Sequence, residues 1–203
     1  VIGPLLALIY LYYYPEDYKT LFFLAFIPGL LAVIASFYIK KEESNINPFT
    51  IKTSFTSFLN YWKSGPSAYR KLVFGLLFFT LFNSSDIFLL LQVKQAGFDD
   101  SMVIGVYIFY NLIYALFAFP MGILADYFGL KTIFILGLGL FAFVYLGMAV
   151  FNSQTMIFVL FFVYGLYASM TEGIAKAWIT NITEKKDTAT AIGTFTGLQS
   201  ICA

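Results

Sequence analysis

The chain has 203 residues, of which 60% are hydrophobic, 21% aromatic and only 11% charged, and its mean hydropathy is +0.82. This composition excludes an ordinary soluble globular domain and indicates a membrane protein. The net charge of +1 and the absence of histidine argue against nucleic-acid binding and against a histidine-based metal or acid–base site. The single cysteine, Cys202, has no partner for an internal disulfide. We therefore expect no metal, no cofactor and no nucleic-acid partner.

Seven apolar runs qualify as membrane spans or would do so if they were not cut short at an end of the chain. A hydrocarbon core of about 30 Å requires roughly 20 residues of helix. The sequence therefore predicts an all-α membrane protein, a polytopic transmembrane helix bundle of about seven spans with the first and last truncated. Since both ends fall inside apolar runs, we expect the chain to be a fragment of a longer protein. The runs are residues 1–14, 21–39, 72–93, 102–124, 132–151, 155–180 and 188–203.

The basic residues are divided unequally between the two sides of such a bundle. If the spans alternate in direction, nine lysines and arginines lie on one side, only Lys19 and Lys94 lie on the other, and Lys176 falls inside a span. Cytoplasmic loops carry the excess of basic residues, so the side with nine is predicted to be cytoplasmic. The nine are Lys40, Lys41, Lys52, Lys63, Arg70, Lys71, Lys131, Lys185 and Lys186.

The long connection at residues 40–71 lies on this predicted cytoplasmic side. Five apolar residues recur in it at helical spacing, with two lysines beside them. This pattern predicts an amphipathic helix that lies in the membrane interface rather than crossing it. The apolar residues are Ile51, Phe55, Phe58, Leu59 and Trp62, and the lysines are Lys52 and Lys63.

A short polar stretch, FPMGILADYFGLK at residues 119–131, separates two of the runs. It resembles the G-x-L-A-D-x-x-G-x-K signature of the major facilitator superfamily, with Tyr127 and Leu130 where that family usually has basic residues. The other runs resemble the same family in order, as helices five to eleven of twelve. The matching residues are Gly122, Leu124, Ala125, Asp126, Gly129 and Lys131.

The resemblance implies three regions of the chain. Residues 1–39 would be the end of an N-terminal bundle (two spans, the first truncated), residues 40–71 the cytoplasmic linker, and residues 72–203 most of a C-terminal bundle of five spans. It further implies a site near the membrane midplane between two six-helix bundles, and alternating access by rocking of the two halves.

The signature implies a gating element on the cytoplasmic side. By analogy with the family, Asp126 would lie against the positive N-terminus of the eleventh helix, which begins near Thr188. Gly122 would permit close helix approach, and Gly129 would take the positive φ that ends a helix and reverses the chain. The alternative is an ordinary tight turn in which Lys131 only follows the positive-inside tendency.

Three ionisable residues fall inside predicted spans: Asp86, Glu172 and Lys176. Such groups are costly in lipid, so they should face protein or a wet cavity. Asp86 and Asn83, three residues before it, are candidates for contact with substrate or a coupling ion, the alternative being a structural interhelix hydrogen bond. Glu172 and Lys176 are spaced to pair along one helix, or to form a gate pair in which Glu172 titrates with a coupling proton.

Tyr107 and Asn111 begin a polar stripe that continues to Tyr114 in an otherwise apolar span. Their spacing places them on one helix face. We interpret Tyr107 and Asn111 as candidate residues for substrate or ion contact, with aromatic core packing as the alternative.

The function that these residues favour is secondary active transport of a small solute by alternating access, coupled to an ion, with the proton favoured. The expected partners are the substrate, the lipid bilayer and the missing remainder of the same chain, in a multi-pass protein of a prokaryotic plasma membrane. The alternatives are a seven-helix receptor-like protein or a membrane-embedded enzyme. The chain lacks the HExxH and Gly-x-Ser-x-Gly motifs of common hydrolases, so an enzyme is not expected.

Overall fold

A computed structural model of the protein describes residues 2–14, 17–38, 61–63, 65–83, 86–151 and 153–202. Within these ranges the chain forms eight α-helices and no β-strand, which confirms the predicted all-α fold class. The helices are α1 (Ile2–Tyr13), α2 (Tyr18–Phe37), α3 (Ser67–Phe82), α4 (Asp86–Gln95), α5 (Asp100–Phe128), α6 (Leu130–Val150), α7 (Gln154–Ile182) and α8 (Thr188–Cys202).

The helices belong to two compact units, Val1–Thr53 and Ser54–Ala203. The first unit contains α1 and α2. Asp17 caps α2 by accepting hydrogen bonds from the Thr20 amide at 3.2 Å and from the Tyr10 hydroxyl at 2.8 Å. These bonds favour the charged carboxylate, and they hold the pKa of Asp17 below its usual value. No residue of α2 is buried within the unit, so this apolar helix presents its whole circumference for lipid or other helices to cover.

The second unit contains α3 to α8 and is organised around α7. This helix packs along both α5 and α6, and it contributes more buried residues than any other helix described. Close packing depends on glycine at its contact points. A Cβ at Gly165 would lie 2.8 Å from the Ile113 Cβ of α5, and one at Gly137 of α6 would lie 2.8 Å from Thr171 of α7. The small residues therefore set the spacing of the three central helices.

Five helical stretches of the described chain are long and apolar enough to cross a membrane. They correspond to the predicted runs 21–39, 72–93, 102–124, 132–151 and 155–180. The terminal runs are helical but short, since α1 has 12 residues and α8 has 15.

The predicted run 72–93 is not one continuous helix. It consists of α3 and α4, and α3 ends at Asn83, whose backbone is extended with φ −82° and ψ 103°. The run still counts as one candidate span, Ser67–Gln95, as predicted, with its helix interrupted at Asn83. An extended residue breaks the i to i−4 hydrogen-bond pattern and lets the chain change direction.

The predicted positive φ at Gly129 is confirmed, at 92°. Because α5 ends at Phe128 and α6 begins at Leu130, this one residue makes the whole connection. A backbone with φ above zero is open to glycine and costly for other residues.

The amphipathic helix predicted within residues 40–71 lies mostly outside the described residues. Residues 61–63 are helical, and the Tyr61 ring packs edge-on against Tyr69 of α3 at 5.2 Å between centroids. The domain boundaries at 39/40 and 71/72 stay predictions.

Candidate functional site

A cavity of about 210 Å³ opens within the second unit. Helices α3 to α8 all contribute to its wall. Four of the predicted site residues line it: Asn83, Asp86, Glu172 and Lys176. The other lining residues are Leu76, Phe79, Thr80, Tyr110, Phe134, Tyr164, Tyr167, Ala168, Thr171, Ala175, Phe195 and Gln199.

Asp86 is held at the first turn of α4 by two tyrosines from other helices. Its Oδ2 accepts a hydrogen bond from the Tyr110 hydroxyl of α5, and its Oδ1 accepts one from the Tyr164 hydroxyl of α7, each at 2.5 Å. Hydrogen bonds to a carboxylate are short and about twice as strong as neutral ones. The interhelix hydrogen bond considered as the structural alternative is therefore present. The same carboxylate also lines the cavity, so the structural bonds do not remove Asp86 from the site.

Asn83 supplies a second polar group next to the helix interruption. Its Oδ1 atom is buried and has no hydrogen-bond partner among the residues that the structure describes. An unsatisfied buried acceptor costs about 1–3 kcal/mol. Because the Asn83 residue lines the cavity, rotation of its amide would bring this oxygen to a hydrogen-bond donor of a solute.

Aromatic rings form a continuous wall beside Asp86. Tyr110 packs on Tyr164 at 5.4 Å between ring centroids, Tyr164 on Tyr167 at 5.3 Å, and Tyr167 on Phe141 at 5.1 Å. Phe141 in turn meets Phe79 at 5.0 Å. Ring contacts of this kind stabilise one arrangement of the wall beyond the area that they bury.

Glu172 and Lys176 lie further along α7, with exposed side chains. Among the described residues the ion pairs are Lys94–Asp100 at 2.7 Å and Lys186–Glu184 at 2.8 Å. Glu172 and Lys176 do not form an ion pair in this conformation, although their spacing permits one. Both side chains line the cavity.

Tyr107 and Asn111 are not among the residues that line this cavity. The Asn111 Nδ2 donates to the Tyr107 carbonyl oxygen at 2.9 Å, and the Tyr107 ring packs against Tyr110 at 5.6 Å. The buried face of α5 carries Tyr110 instead, offset from the predicted stripe. Tyr107 thus makes the aromatic packing contact considered as the alternative, and its role in substrate or ion contact stays a prediction.

The sequence reasoning missed Tyr110 and Tyr164, which hold Asp86. One signal was available, since a buried tyrosine hydroxyl needs a hydrogen-bond partner and Asp86 is one of few acceptors inside the spans. The two tyrosines lie 24 and 78 residues from Asp86 along the chain. A pattern within one helix therefore could not predict these contacts.

Some of the predicted gating residues line a different cavity, of about 270 Å³, formed mainly by α5 and α7. Gly122 and Asp126 line it, whereas Leu124 is outside its lining and Lys131 lines a further cavity beside α3. A Cβ at Gly122 would meet nothing within 4 Å. The expected close helix approach at Gly122 is therefore not present in this conformation, because open space lies on that face of α5.

The Asp126 side chain is exposed, and within the described part of the chain it makes no hydrogen bond or ion pair. The contact expected with the N-terminus of α8 at Thr188 is not formed in this conformation. Asp126 shares the second cavity with residues of α7, including Gly173 and Ala177. Most of the lining residues outside α5 therefore belong to α7, with Leu130 of α6 beside them.

A polytopic helical bundle with an interrupted span and an internal carboxylate beside a cavity has the architecture of a membrane transport protein. The sequence model of the Major Facilitator Superfamily matches residues 72–203. This match shows that the chain belongs to the major facilitator superfamily, a family of transporters, and it confirms the resemblance seen in the signature at Asp126. No solved structure matches the chain.

An uncharacterised MFS-type transporter from the archaeon Methanocaldococcus jannaschii is 30% identical over 212 residues. The match covers all of this chain and 52% of the relative, so the chain spans about half the length of the curated relative that it matches. Family membership favours a transporter over the receptor-like and enzyme alternatives.

Proposed function

We propose that the complete protein containing this chain is a secondary active transporter that moves a small solute by alternating access. The supporting observation is the Asp86 carboxylate, bonded to two tyrosines and lining an open cavity inside an apolar bundle. Ionisable groups within a membrane are expensive and mark substrate or ion pathways. The Asp86 cavity is accordingly the proposed transport site.

A coupling proton has a defined structural effect at Asp86. The charged carboxylate can accept both tyrosine hydroxyls, whereas protonation converts one accepting oxygen into a donor. Protonation therefore weakens the bond from at least one tyrosine hydroxyl, which would loosen α4 from α5 or α7. Glu172, in the same cavity, is the second candidate carrier of a coupling proton, and Lys176 its candidate gate partner.

The proposed setting is the plasma membrane of a prokaryote, with residues 40–71 in the cytoplasm. The excess of basic residues on that side supports this orientation, and the relative from an archaeon supports the prokaryotic setting. The signature residues Gly122, Leu124, Asp126, Gly129 and Lys131 are proposed to form a cytoplasmic gating element. Asp126 lines the second cavity, where it could gain a partner when the conformation changes.

Cysteine accessibility tests alternating access without knowledge of the substrate. Gln199→Cys is introduced into the complete protein after replacement of Cys202 and any other reactive cysteine, and the protein is reconstituted in vesicles. A membrane-impermeant maleimide should label residue 199 from either side, in proportions that shift with an imposed pH gradient. Ile201→Cys, at a side chain that is 82% exposed on the bundle surface, should label poorly from both sides. Labelling of residue 199 from one side alone under every condition would contradict the proposal.

A pair of matched carboxylate variants tests the role of Asp86. In the same assay, Asp86→Asn should abolish the shift caused by the pH gradient. Asp99→Asn, at an exposed residue preceding α5, should leave the shift unchanged. A normal shift in the Asp86 variant would remove this carboxylate from the mechanism.

A further inference from the structure

We propose that the Asp86 cavity binds a small organic ammonium, a solute with a positively charged N–H donor group and an apolar or aromatic body. This inference rests on the proposed transport function and names the class of substrate. It follows from the hydrogen-bonding capacity, the ring wall and the charge of the cavity.

Four hydroxyl groups of the cavity wall direct their hydrogens into the protein. Tyr110 and Tyr164 donate to Asp86, Thr80 donates to the Leu76 carbonyl at 3.0 Å, and Thr171 donates to the Tyr167 carbonyl at 2.9 Å. A hydroxyl that has donated its hydrogen can only accept. These four groups therefore offer lone pairs to a solute.

Asn83 and Asp86 add further accepting capacity beside Tyr110 and Tyr164. The Asn83 Oδ1 is buried and unpaired with any described residue. A carboxylate has about four lone-pair sites, and the two tyrosines occupy only two of those on Asp86. This part of the cavity has a surplus of acceptors, so its complement is a group rich in donors, as an ammonium is.

The ring wall suits the rest of such a solute. Tyr110, Tyr164 and Tyr167 line the cavity in consecutive ring contact, beside Asp86. A cation within about 6 Å of an aromatic face is attracted by the ring quadrupole, and an apolar body gains by leaving water. The cavity of about 210 Å³ is large enough to admit a small organic solute beside these rings.

The charges are arranged with the negative groups nearer this part of the cavity. Glu172 is eight residues along α7 from Tyr164 and Lys176 is twelve, which places them about 12 Å and 18 Å away along the axis at 1.5 Å per residue. Along α7, the backbone of Lys176 is therefore further from Tyr164 than that of Glu172. An ammonium beside Asp86 would meet a carboxylate directly.

Calorimetry on the detergent-solubilised complete protein tests the inference. The probes are 2-phenylethylammonium, its neutral analogue 2-phenylethanol, and sodium chloride. The ammonium should bind at least tenfold more tightly than the alcohol, and sodium should neither bind in its place nor displace it. Equal binding of the alcohol, binding of sodium alone, or no binding of the ammonium would each overturn the assignment.

Variants assign the binding to the cavity. Asp86→Asn should weaken binding of 2-phenylethylammonium by about ten- to a hundredfold, the range for a lost charge-assisted hydrogen bond, whereas Asp99→Asn should not change it. Asn83→Ala, which keeps Asp86 and its tyrosine bonds, should weaken binding several-fold and covers the case in which the Asp86 variant does not fold. Unchanged affinity in Asn83→Ala would contradict the assignment.

Failure of this inference is distinguishable from failure of the transport proposal. If residue 199 labels from alternating sides but the ammonium does not bind, the substrate class is wrong and alternating access stands. If the ammonium binds but labelling never alternates, the ligand class stands and the transport proposal fails.

Discussion

Replacing Gly165 with alanine should force α5 and α7 apart. The added Cβ would lie 2.8 Å from both the Ile113 Cβ and the Tyr110 carbonyl oxygen. Carbon atoms pack at about 3.5–4.0 Å, so the helices must separate by roughly 0.7 Å or more to relieve the contact with Ile113. Overpacking of this kind costs about 1–3 kcal/mol. Because the colliding oxygen belongs to Tyr110, the displacement also disturbs the hydrogen bond from Tyr110 to Asp86.

Gly173→Ala is the matched control on the same helix. A Cβ at Gly173 would meet nothing within 4 Å, so alanine should be neutral or stabilise the helix by about 0.5–1 kcal/mol. Thermal unfolding of the two variants in detergent compares them directly. Gly165→Ala should lower the midpoint by several degrees, at roughly 2–4 °C per kcal/mol, and should also impair the response to a pH gradient. If Gly165→Ala were as stable as Gly173→Ala, the close packing of α5 on α7 at this point would be refuted.

Three further predictions concern other parts of the fold. Gly129→Ala should destabilise the protein by about 1–3 kcal/mol in thermal unfolding, because φ is 92° there; no loss would mean that the turn has another conformation. Tyr69→Phe should cost about 0.5–1.5 kcal/mol by the same measurement, since the buried hydroxyl donates to the Ala191 carbonyl at 2.9 Å; unchanged stability would show that this bond contributes nothing. Hydrogen bonds from Thr20 and Tyr10 depress the pKa of Asp17. Their contribution to the stability of the start of α2 is therefore complete above the unfolded pKa near 3.8, and it is lost as the pH falls through the lower pKa of the folded state. The protection factor of the Thr20 amide in hydrogen exchange should therefore fall in acid in the native protein but not in Asp17→Asn, and a constant factor would contradict the capping role.

Much of the fold could be predicted from short sequence patterns, because helices and turns depend mainly on residues that are close along the chain. The apolar runs identify helices by length and composition. A positive φ was predicted for Gly129 because a glycine in a short turn between two helices can adopt it. Asp86 was predicted to avoid lipid from cost alone, and the structure places it against protein and a cavity. The signature around Asp126 identified the family, although it did not determine which residues face Asp126 in this conformation.

The features that were missed depend on tertiary packing. The helix break at Asn83 sits in a run whose composition reads as one span. The two tyrosines on Asp86 come from helices distant in sequence, so only packing of α4, α5 and α7 brings them together. Tyr107 and Asn111 do not line the first cavity. The spacing of polar residues shows that they share a helix face, but it does not show which face is buried.

The break at Asn83 gives the two halves of one span different neighbours. The second half, α4, is bonded to α5 and α7 through Asp86, and to α6 through Gln92, whose Nε2 donates to the Met148 carbonyl at 2.5 Å. The first half, α3, is bonded to α8 through Tyr69 and also packs on α7. Because the halves have different partners, a movement of α8 would displace α3 more than α4. A substitution that stiffens the interruption should therefore couple the positions of the two halves more tightly.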